Sequence, residues 1–322
     1  MNSINHYREE FLAHLKTSVA VKEPRNLYEP IDYILQLGGK RLRPVLTLIA
    51  ADLFGGDYRK ALPAAAAVEV FHNFSLVHDD IMDNASLRRG KATVHQKWNS
   101  NIAILSGDAM LISAYCLLDS YPPDTFVALA KLFSKTALEV CEGQQWDMDF
   151  ETQTQVSIPQ YLQMIRYKTA VLVGAALQMG AIIAGASIEN QRLIYDFGVT
   201  IGLAFQLQDD YLDTFGDEAF GKKIGGDILE NKKTILYLKA LDLADEAQRD
   251  TLIAQYTTSE ENDAKIAIVT QLFRQTGAAE AVRDEITRTT DEALNLLEHI
   301  TISDENRAYL KQFALELMNR KV

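Results

Sequence analysis

Apolar residues recur at helical intervals along most of the chain. The clearest series is Ile102, Leu105, Ala109, Ile112 and Cys116. Residues three or four positions apart lie on one face of an α-helix, whereas half-buried strands alternate with a period of two. We find no such alternation. The pattern predicts an all-α protein with about ten or more helices.

Helix-start residues punctuate this pattern. The predicted starts are Pro122-Pro123-Asp124, Ser157-Ile158-Pro159 and Ser303-Asp304. From about Asp57 to Met82 the chain is rich in alanine and apolar on several sides, which predicts a helix surrounded by others. No linker rich in Pro, Gly or Ser divides the 322 residues. We therefore predict a single domain over residues 1–322, although the length alone also allows two.

The composition narrows the class of protein. Apolar residues make up 48% of the chain, but charge or glycine interrupts each apolar stretch well short of a bilayer span, so we expect no membrane insertion. The first ten residues lack the basic residues followed by an apolar stretch that are typical of a secretion signal. Only two cysteines occur, Cys116 and Cys141, which favours a reducing, cytoplasmic compartment. The net charge of −12 opposes nucleic-acid binding, so a bound phosphate should belong to a small molecule.

Two acidic blocks of the same form are the strongest clue to chemistry. They are Asp79-Asp80-Ile81-Met82-Asp83 and Asp209-Asp210-Tyr211-Leu212-Asp213. The first and fifth residues of each block lie one helical turn apart and present their carboxylates together. Long apolar runs precede both blocks, which places them near helix C-termini, where acidic clusters are unfavourable.

Clustered carboxylates without His or Cys suit a hard cation, above all Mg²⁺. Magnesium takes few protein ligands and keeps its other positions for water and phosphate oxygens. Two such blocks therefore predict a magnesium-diphosphate site. A single block is more often a solvated helix end, and the second copy weakens that alternative.

Short basic motifs accompany the acidic blocks. Gly38-Gly39-Lys40-Arg41-Leu42-Arg43-Pro44 is a predicted turn between two helices, in which Lys40 and Arg43 can bind a diphosphate. Taken alone, the motif also fits a glycine helix cap followed by cations that satisfy the helix dipole. Arg88 and Arg89 follow the first acidic block, and arginine pairs well with phosphate oxygens.

Other candidates each have a structural alternative. His72 lies two turns before Asp79 on nearly the same face, where a single histidine is usually a core residue. Lys168, beside Thr169, interrupts an apolar helix and needs an anion or a shifted pKa, unless its side chain extends to the surface.

The segment after the second acidic block is cationic and contains Lys222 and Lys232. It fits a mobile lid over phosphates as well as it fits a solvated loop. Beyond about residue 240 the pattern predicts amphipathic packing helices without identifiable chemistry.

Together the motifs resemble the trans-isoprenyl diphosphate synthase family, the polyprenyl synthetases that include farnesyl and geranylgeranyl diphosphate synthases. The resemblance rests on GGKRLRP, DDIMDNASLRRG, Lys168-Thr169, FQLQDDYLD and the GK…GGD…KKT tail, in the family's order. It implies the isoprenoid synthase fold, a single large helical bundle around a deep central cavity with the acidic blocks facing each other across its mouth. It also implies a homodimer.

The resemblance assigns the metal to the aspartates. Asp79 and Asp83 would hold two Mg²⁺ ions and Asp209 a third once substrate is bound, with Asp80 and Asp213 in supporting roles. The residues expected to act directly in catalysis are Asp79, Asp83, Asp209, Lys168 and Arg88.

The resemblance also assigns two diphosphate sites. The allylic diphosphate would contact Arg88, Lys168 and Lys222. Near its reacting end or under the lid would lie Thr169, Gln206 and Lys232. The diphosphate of isopentenyl diphosphate would contact Lys40, Arg43, His72 and Arg89. Asn231 departs from the family, which often has glycine there, and this leaves the detailed role of Lys232 open.

The implied reaction joins isopentenyl diphosphate head-to-tail to an allylic diphosphate. Metal ions and cations stabilise the departing diphosphate, so an allylic cation forms and the isopentenyl double bond attacks it. The departing diphosphate can accept the proton that is lost, so no protein base is required.

Residues upstream of Asp79 are candidates for the floor that limits product length. On an ideal helix Ser75 lies within about 40° of Asp79 and Phe74 roughly 140° away, so geometry favours Ser75. In relatives, however, an aromatic residue five positions before the motif limits length. Phe74 holds that position, and Phe71 adds bulk. We expect the product to be geranylgeranyl diphosphate. Farnesyl diphosphate is the second candidate, and longer products are the third.

Two other functions compete with this one. A terpene cyclase shares the ionisation step but typically replaces the second acidic block with a mixed Asn/Ser/Glu motif, and it lacks an isopentenyl site. A non-catalytic subunit of a heteromeric synthase usually has eroded acidic motifs. Both blocks are intact here.

Overall fold

Helices account for nearly all the regular structure in this protein. The computed structural model describes residues 1–216, 224–258 and 262–318. The first elements are α1 Ile4–Ser18, α2 Arg25–Gln36, α3 Leu42–Leu53, α4 Leu62–Met82, β1 Leu87–Arg88, β2 Lys91–Ala92, α5 Val94–Lys97 and α6 Ser100–Cys116. They are followed by α7 Pro123–Thr152, α8 Ile158–Ile165, α9 Val171–Ile183 and α10 Ile188–Phe215. The last are α11 Gly226–Leu229, α12 Ile235–Leu243, α13 Glu246–Thr257, α14 Asp263–Gln275, α15 Ala278–Glu298 and α16 Asp304–Met318.

The predicted all-α class is confirmed. Helices α7, α8 and α16 begin at the predicted punctuation, and Ser157 closes a capping box with Gln160 at the start of α8. One small feature was not predicted: β1 and β2 form a two-stranded antiparallel hairpin.

The contacts divide the chain into two compact units. The first contains Met1–Lys135 and Ala175–Tyr195, and the second contains Thr136–Gly174 and Asp196–Val322. The boundary falls within α7, α9 and α10, so no linker separates the units in sequence. The single domain over residues 1–322 stays a prediction.

Helix α4 is the central element of the first unit. It packs against α3 and α6, and four consecutive alanines, residues 64–67, are fully buried along with Phe71. Small side chains on several faces allow neighbouring helices to approach from more than one direction. This burial confirms the predicted surrounded helix, and it fixes the position of the acidic block at its end.

The second unit has its own apolar core. Leu207 of α10 and Phe273 of α14 are buried in it together with the first four residues of α12, which are all apolar and buried. This packing holds the C-terminal half of α10, which carries the second acidic block.

Candidate active site

The first acidic block lies at the C-terminal end of α4. Asp79 is in the last turn, and Asp83 follows the last helical residue, donating its backbone N–H to the Asp79 carbonyl at 2.8 Å. Asp83 is exposed and Asp79 half-buried. This placement confirms the prediction that the first acidic block lies near a helix C-terminus. Because a helix C-terminus carries partial negative charge, a cation there would stabilise both carboxylates.

Asp80 points away from solvent and pairs with Arg88. Its side chain is only 1% exposed, and the Arg88 Nε lies 2.8 and 2.9 Å from its two carboxylate oxygens. Arg88 Nη2 adds a contact of 2.7 Å. The β1–β2 hairpin carries the arginine, and this pairing satisfies a carboxylate that burial would otherwise penalise. Asp80 thereby fixes Arg88 beside the first block.

The basic turn between α2 and α3 has left-handed backbone angles. The φ angles are 83° at Gly38, 116° at Gly39 and 52° at Arg41. Such an angle is uncommon for a residue with a side chain. The buried Arg41 guanidinium pairs with Glu69 and donates to the Leu35 carbonyl. Since Glu69 belongs to α4, this buried ion pair ties the turn to the helix that carries Asp79.

Arg43, His72 and Arg89 form a cationic cluster in the first unit. Arg43 Nη1 lies 3.3 Å from His72 Nε2, and Arg43 Nε is buried without a hydrogen-bond partner among the residues that the structure describes. Arg89 Nη1 donates to the Gly38 carbonyl. A Cβ at Gly39 would lie 2.9 Å from the Arg89 guanidinium, so glycine makes room for it. Within the described residues, neither Arg43 nor Arg89 has an ion pair with a carboxylate.

The electrostatics of this cluster favour a bound anion. Burial lowers the pKa of His72 well below its ordinary value, and the charges of Arg43 and the other nearby arginines lower it further. The neutral imidazole suits the contact with Arg43, because a guanidinium only donates hydrogen bonds and Nε2 must accept. Burial also lowers the pKa of Arg43. A phosphate group would supply the missing negative charge and an acceptor for Arg43 Nε.

The second acidic block lies at the C-terminal end of α10. Asp209 is half-buried, and Asp210 is buried, where it accepts hydrogen bonds from the Tyr161 hydroxyl and from Gln206 Nε2 at 3.0 Å. Burial raises the pKa of Asp210 to about 8, with Asp227 adding to the effect. Burial and the neighbouring carboxylate thus disfavour the charged form of Asp210, and a divalent cation bound at this block would offset that effect.

Asp213, the last residue of this block, binds the chain that follows it. Its Oδ2 accepts the backbone N–H of Asp227 at 3.0 Å, and its carbonyl accepts that of Gly225 at 2.7 Å. Asp213 thus holds the start of α11 against the end of α10.

Lys168 and Thr169 belong to a π turn, Arg166–Ala170, between α8 and α9. Lys168 Nζ donates to Asp147 of α7. Thr169 Oγ1 donates to Gln206 of α10 at 3.3 Å, which brings these two predicted residues together.

Lys232 lies on the loop between α11 and α12. Its Nζ is 2.8 Å from Glu230 and 3.9 Å from Asp227. Asn231 has a φ of 56° and accepts a hydrogen bond at 2.7 Å from Lys265, whose side chain is buried. Asparagine tolerates this left-handed angle better than most residues with a side chain. Lys222 lies outside the described residues.

The predicted chain-length residues lie along α4. Phe71 is fully buried and Phe74 is 8% exposed. The Phe71 ring is 5.5 Å from that of Phe74 and 5.2 Å from that of Phe133 on α7, measured between centroids. Ser75 is half-buried, with its hydroxyl on the His72 carbonyl at 2.9 Å. An aromatic layer thus lies below the first acidic block.

Sequence analysis did not identify some of the residues that pair with the predicted site residues. Glu69 gave no signal because a single acid within an apolar helix matches no motif. Asp147 and Lys265 likewise stand in ordinary amphipathic stretches. Pairing with a distant cation is visible only in three dimensions, so these residues depend on the fold for their recognition.

The donor set fits magnesium. No group of three His, Cys, Asp or Glu side chains within the described residues is arranged to hold a metal ion. An ion bound at Asp79 and Asp83 would therefore take its remaining ligands from water and phosphate, which is how Mg²⁺ binds in phosphoryl sites. Only carboxylate oxygens are offered, which also suits this ion.

Helices ending in aspartate blocks, each accompanied by its own cations, define the class of protein as a helical isoprenoid synthase. Comparison with known proteins gives the family. A model of the polyprenyl synthetase family matches residues 24–273. The geranylgeranyl pyrophosphate synthase of Geoglobus acetivorans is 38% identical over 301 residues, 93% of this chain and 92% of that protein. The geranylgeranyl diphosphate synthase of Methanosarcina mazei is 41% identical over 254 residues, 78% of each protein.

A solved structure is also similar. The crystal structure of a geranylgeranyl pyrophosphate synthase superposes with a TM-score of 0.96 and 54% identity over 100% of both chains. This chain belongs to the polyprenyl synthetase family and is a prenyltransferase with the isoprenoid synthase fold. Among its described residues, every helix is too short or too polar to traverse a bilayer.

Proposed function

We propose that this protein condenses isopentenyl diphosphate head-to-tail with an allylic diphosphate, in a magnesium-dependent reaction that yields geranylgeranyl diphosphate. The observation that carries the proposal is that α4 and α10 end in the same aspartate block, each accompanied by cations suited to phosphate. Relatives named for the same product support it.

Asp79, Asp83 and Asp209 would hold Mg²⁺, and three ions are expected with substrate present. Asp80 and Asp213 support them by fixing Arg88 and the start of α11. When bound, magnesium supplies charge that stabilises the diphosphate leaving group.

The cationic cluster of the first unit would bind isopentenyl diphosphate. In this proposal the diphosphate group contacts the three residues of the cluster, Arg43, His72 and Arg89, and also Lys40. Arg43 and Arg89 supply the charge, although the nearby Glu69 carboxylate acts on both, and neutral His72 orients Arg43. Since these contacts hold the diphosphate of the nucleophile, they position its double bond and take no part in ionisation.

The allylic diphosphate would contact Arg88, Lys168 and Lys222, with Lys232 from the following loop. Thr169 and Gln206 lie near its reacting carbon in this proposal, where their oxygens would favour a developing positive charge. The lost proton can pass to the released diphosphate, so the described side chains need only bind, orient and exclude water.

Product length is assigned to Phe71, Phe74 and Ser75. In the proposal the growing chain reaches the aromatic layer on α4, and the two phenylalanines stop it at twenty carbons. Phe74→Ala and Phe71→Ala should each lengthen the product and Ser75→Phe should shorten it, as measured by chromatography of the dephosphorylated alcohols. Unchanged lengths in both alanine variants would rule out this floor.

A cytoplasmic homodimer is part of the proposal. Helix α6 exposes Ile104, Leu105 and Ile112, with Leu105 60% and Ile112 62% exposed. Large apolar side chains on one helix favour association with a second copy. Light scattering of the wild type and of Leu105→Lys/Ile112→Lys tests this; a wild type that remains monomeric would refute the dimer.

One incubation tests the reaction itself. Purified protein receives Mg²⁺, isopentenyl diphosphate and dimethylallyl diphosphate, with farnesyl diphosphate as an alternative primer. Formation of a linear C20 product supports the proposal. Cyclisation of the longer substrate would indicate a cyclase, and silence in the absence of another protein would indicate a subunit of a heteromeric enzyme.

A further inference from the structure

The backbone around Lys168 departs from regular α-helix. In the π turn Arg166–Ala170, the N–H of Val171 donates to the Arg166 carbonyl, five residues earlier. A π turn inserts an extra residue into a helix and is often found at functional sites. The contacts of this turn with α7 indicate what holds it.

Helix α7 meets the turn at Gly143. A Cβ at this position would lie 2.2 Å from the Lys168 backbone nitrogen and 2.8 Å from its Cα, so only glycine fits. Nearly one turn later Trp146 stacks on Tyr167, with ring centroids 5.4 Å apart at 26°. The backbone of the turn therefore lies directly against α7.

Asp147 is one helical turn after Gly143 on the same face of α7. Its carboxylate accepts the hydrogen bond from Lys168 Nζ, and the two side chains are 35% and 28% exposed. Asp147 also acts on Lys232: burial lowers the pKa of this lysine, but Glu230, Asp227 and, more weakly, Asp147 raise it above its ordinary value. Asp147 thus lies near two of the cations assigned to the allylic diphosphate.

We propose that Asp147 is a positioning residue for Lys168. It holds the ammonium group at the surface of the π turn before substrate arrives, and it acts through the lysine without touching the substrate. The inference deepens the proposed function and rests on it for the identity of the ligand.

Two physical effects of Asp147 have opposite signs, and this makes the inference testable. A free lysine side chain samples many rotamers, so ordering it on binding costs affinity. A carboxylate close to an anion site, by contrast, weakens anion binding by repulsion. If positioning dominates, removing Asp147 weakens binding of the allylic diphosphate; if it only competes for Lys168, removal strengthens binding.

The test measures binding and turnover of Asp147→Ala. Calorimetry with Mg²⁺ and geranyl thiodiphosphate, a slowly ionising analogue, should show affinity about tenfold weaker than wild type. In turnover, kcat/KM for the allylic substrate should fall by a similar factor, while KM for isopentenyl diphosphate should not change. Asp147→Glu should recover most of the loss. Asp149→Ala is the matched control, because Asp149 lies on the same helix and accepts from Gln145 at 2.9 Å.

A double variant separates positioning from general damage to the fold. If Asp147 acts through Lys168, Asp147→Ala/Lys168→Met should bind no more weakly than Lys168→Met alone. Additive losses, unchanged binding or tighter binding in Asp147→Ala would each overturn the inference. The binding measurement does not need turnover. A wild type that fails to condense the substrates would therefore contradict the proposed function, whereas the role of Asp147 is decided by the binding of the analogue alone.

Discussion

Two pairs of cations in this protein have different kinds of partner: Arg43 and Arg89 in the first unit, and Lys168 and Lys232 in the second. In the first unit Arg43 and Arg89 lie beside neutral His72 and a backbone carbonyl, without carboxylate partners in the described part of the chain. In the second unit Lys168 and Lys232 are both paired with carboxylates, and a further buried acid, Asp210, has a raised pKa.

This difference indicates two ways of binding a diphosphate. A cluster with excess positive charge attracts the anion directly. A site whose described lysines, Lys168 and Lys232, are already paired with carboxylates requires a metal ion to enter with the anion. The contrast agrees with the proposed chemistry, because only the allylic diphosphate has to ionise.

The acidic blocks should give the largest effects. Asp79→Ala and Asp209→Ala should each lower kcat by roughly 10³-fold, because each removes charge that holds metal at the leaving group. Steady-state kinetics at saturating Mg²⁺ measures this, with Asp250→Ala on the exposed side of α13 as the control. Near-wild-type turnover in either variant would contradict the metal assignment.

Removing magnesium should affect the two proposed diphosphate sites differently. Chelation should weaken binding of geranyl thiodiphosphate by more than about a hundredfold, while isopentenyl diphosphate should change by less than about threefold. Calorimetry with and without Mg²⁺ makes the comparison. Equal dependence of both ligands on metal would break the distinction between the two regions.

Arg43 should determine affinity for isopentenyl diphosphate alone. Arg43→Ala should raise the KM of this substrate by about tenfold or more, since a charge-assisted hydrogen bond is lost, and leave the allylic KM unchanged. Arg59→Ala, on an arginine 60% exposed in the same unit, is the control. A rise in the allylic KM instead would reverse the assignment of the two sites.

His72 should produce the smallest effect, on stability. Its folded pKa is lowered, so protonation favours the unfolded chain: the stability is present above pH about 6.5 and is lost as pH falls from there. His72→Gln should make the dependence of the unfolding free energy on pH shallower by less than about 1.4 kcal/mol per pH unit between pH 5 and 6.5. Urea titrations at several pH values measure it, and an unchanged slope would mean that His72 is not held neutral.

Local sequence predicts the helices and the acidic blocks well. Capping residues and apolar spacing depend on near neighbours, so the start of α8 at Ile158 and the placement of Asp79 at a helix end were both predicted correctly. The π turn was not predicted, because the sequence around Lys168 has helical spacing on both sides. Its geometry depends on Gly143, about 25 residues earlier in the chain.

Long-range pairing limits prediction of the site in the same way. The motif containing Arg41 was recognised, but its buried partner Glu69 was not, since nothing local marks an acid that will face a turn 28 residues away. The site roles assigned to individual residues stay predictions, because they require ligands and metal.

The ion pair between Arg41 and Glu69 has a consequence for how new products can evolve. Through it, a single helix, α4, carries the proposed floor residue Phe74, an acidic block and Glu69, which anchors the basic turn. If the proposed roles hold, a mutation that shifted this helix to make room for a longer product would also displace the basic turn, whose Lys40 and Arg43 are the proposed ligands of isopentenyl diphosphate. Changes in product length should therefore arise by substitution of single side chains near Phe74, because such substitutions leave the position of α4 unchanged.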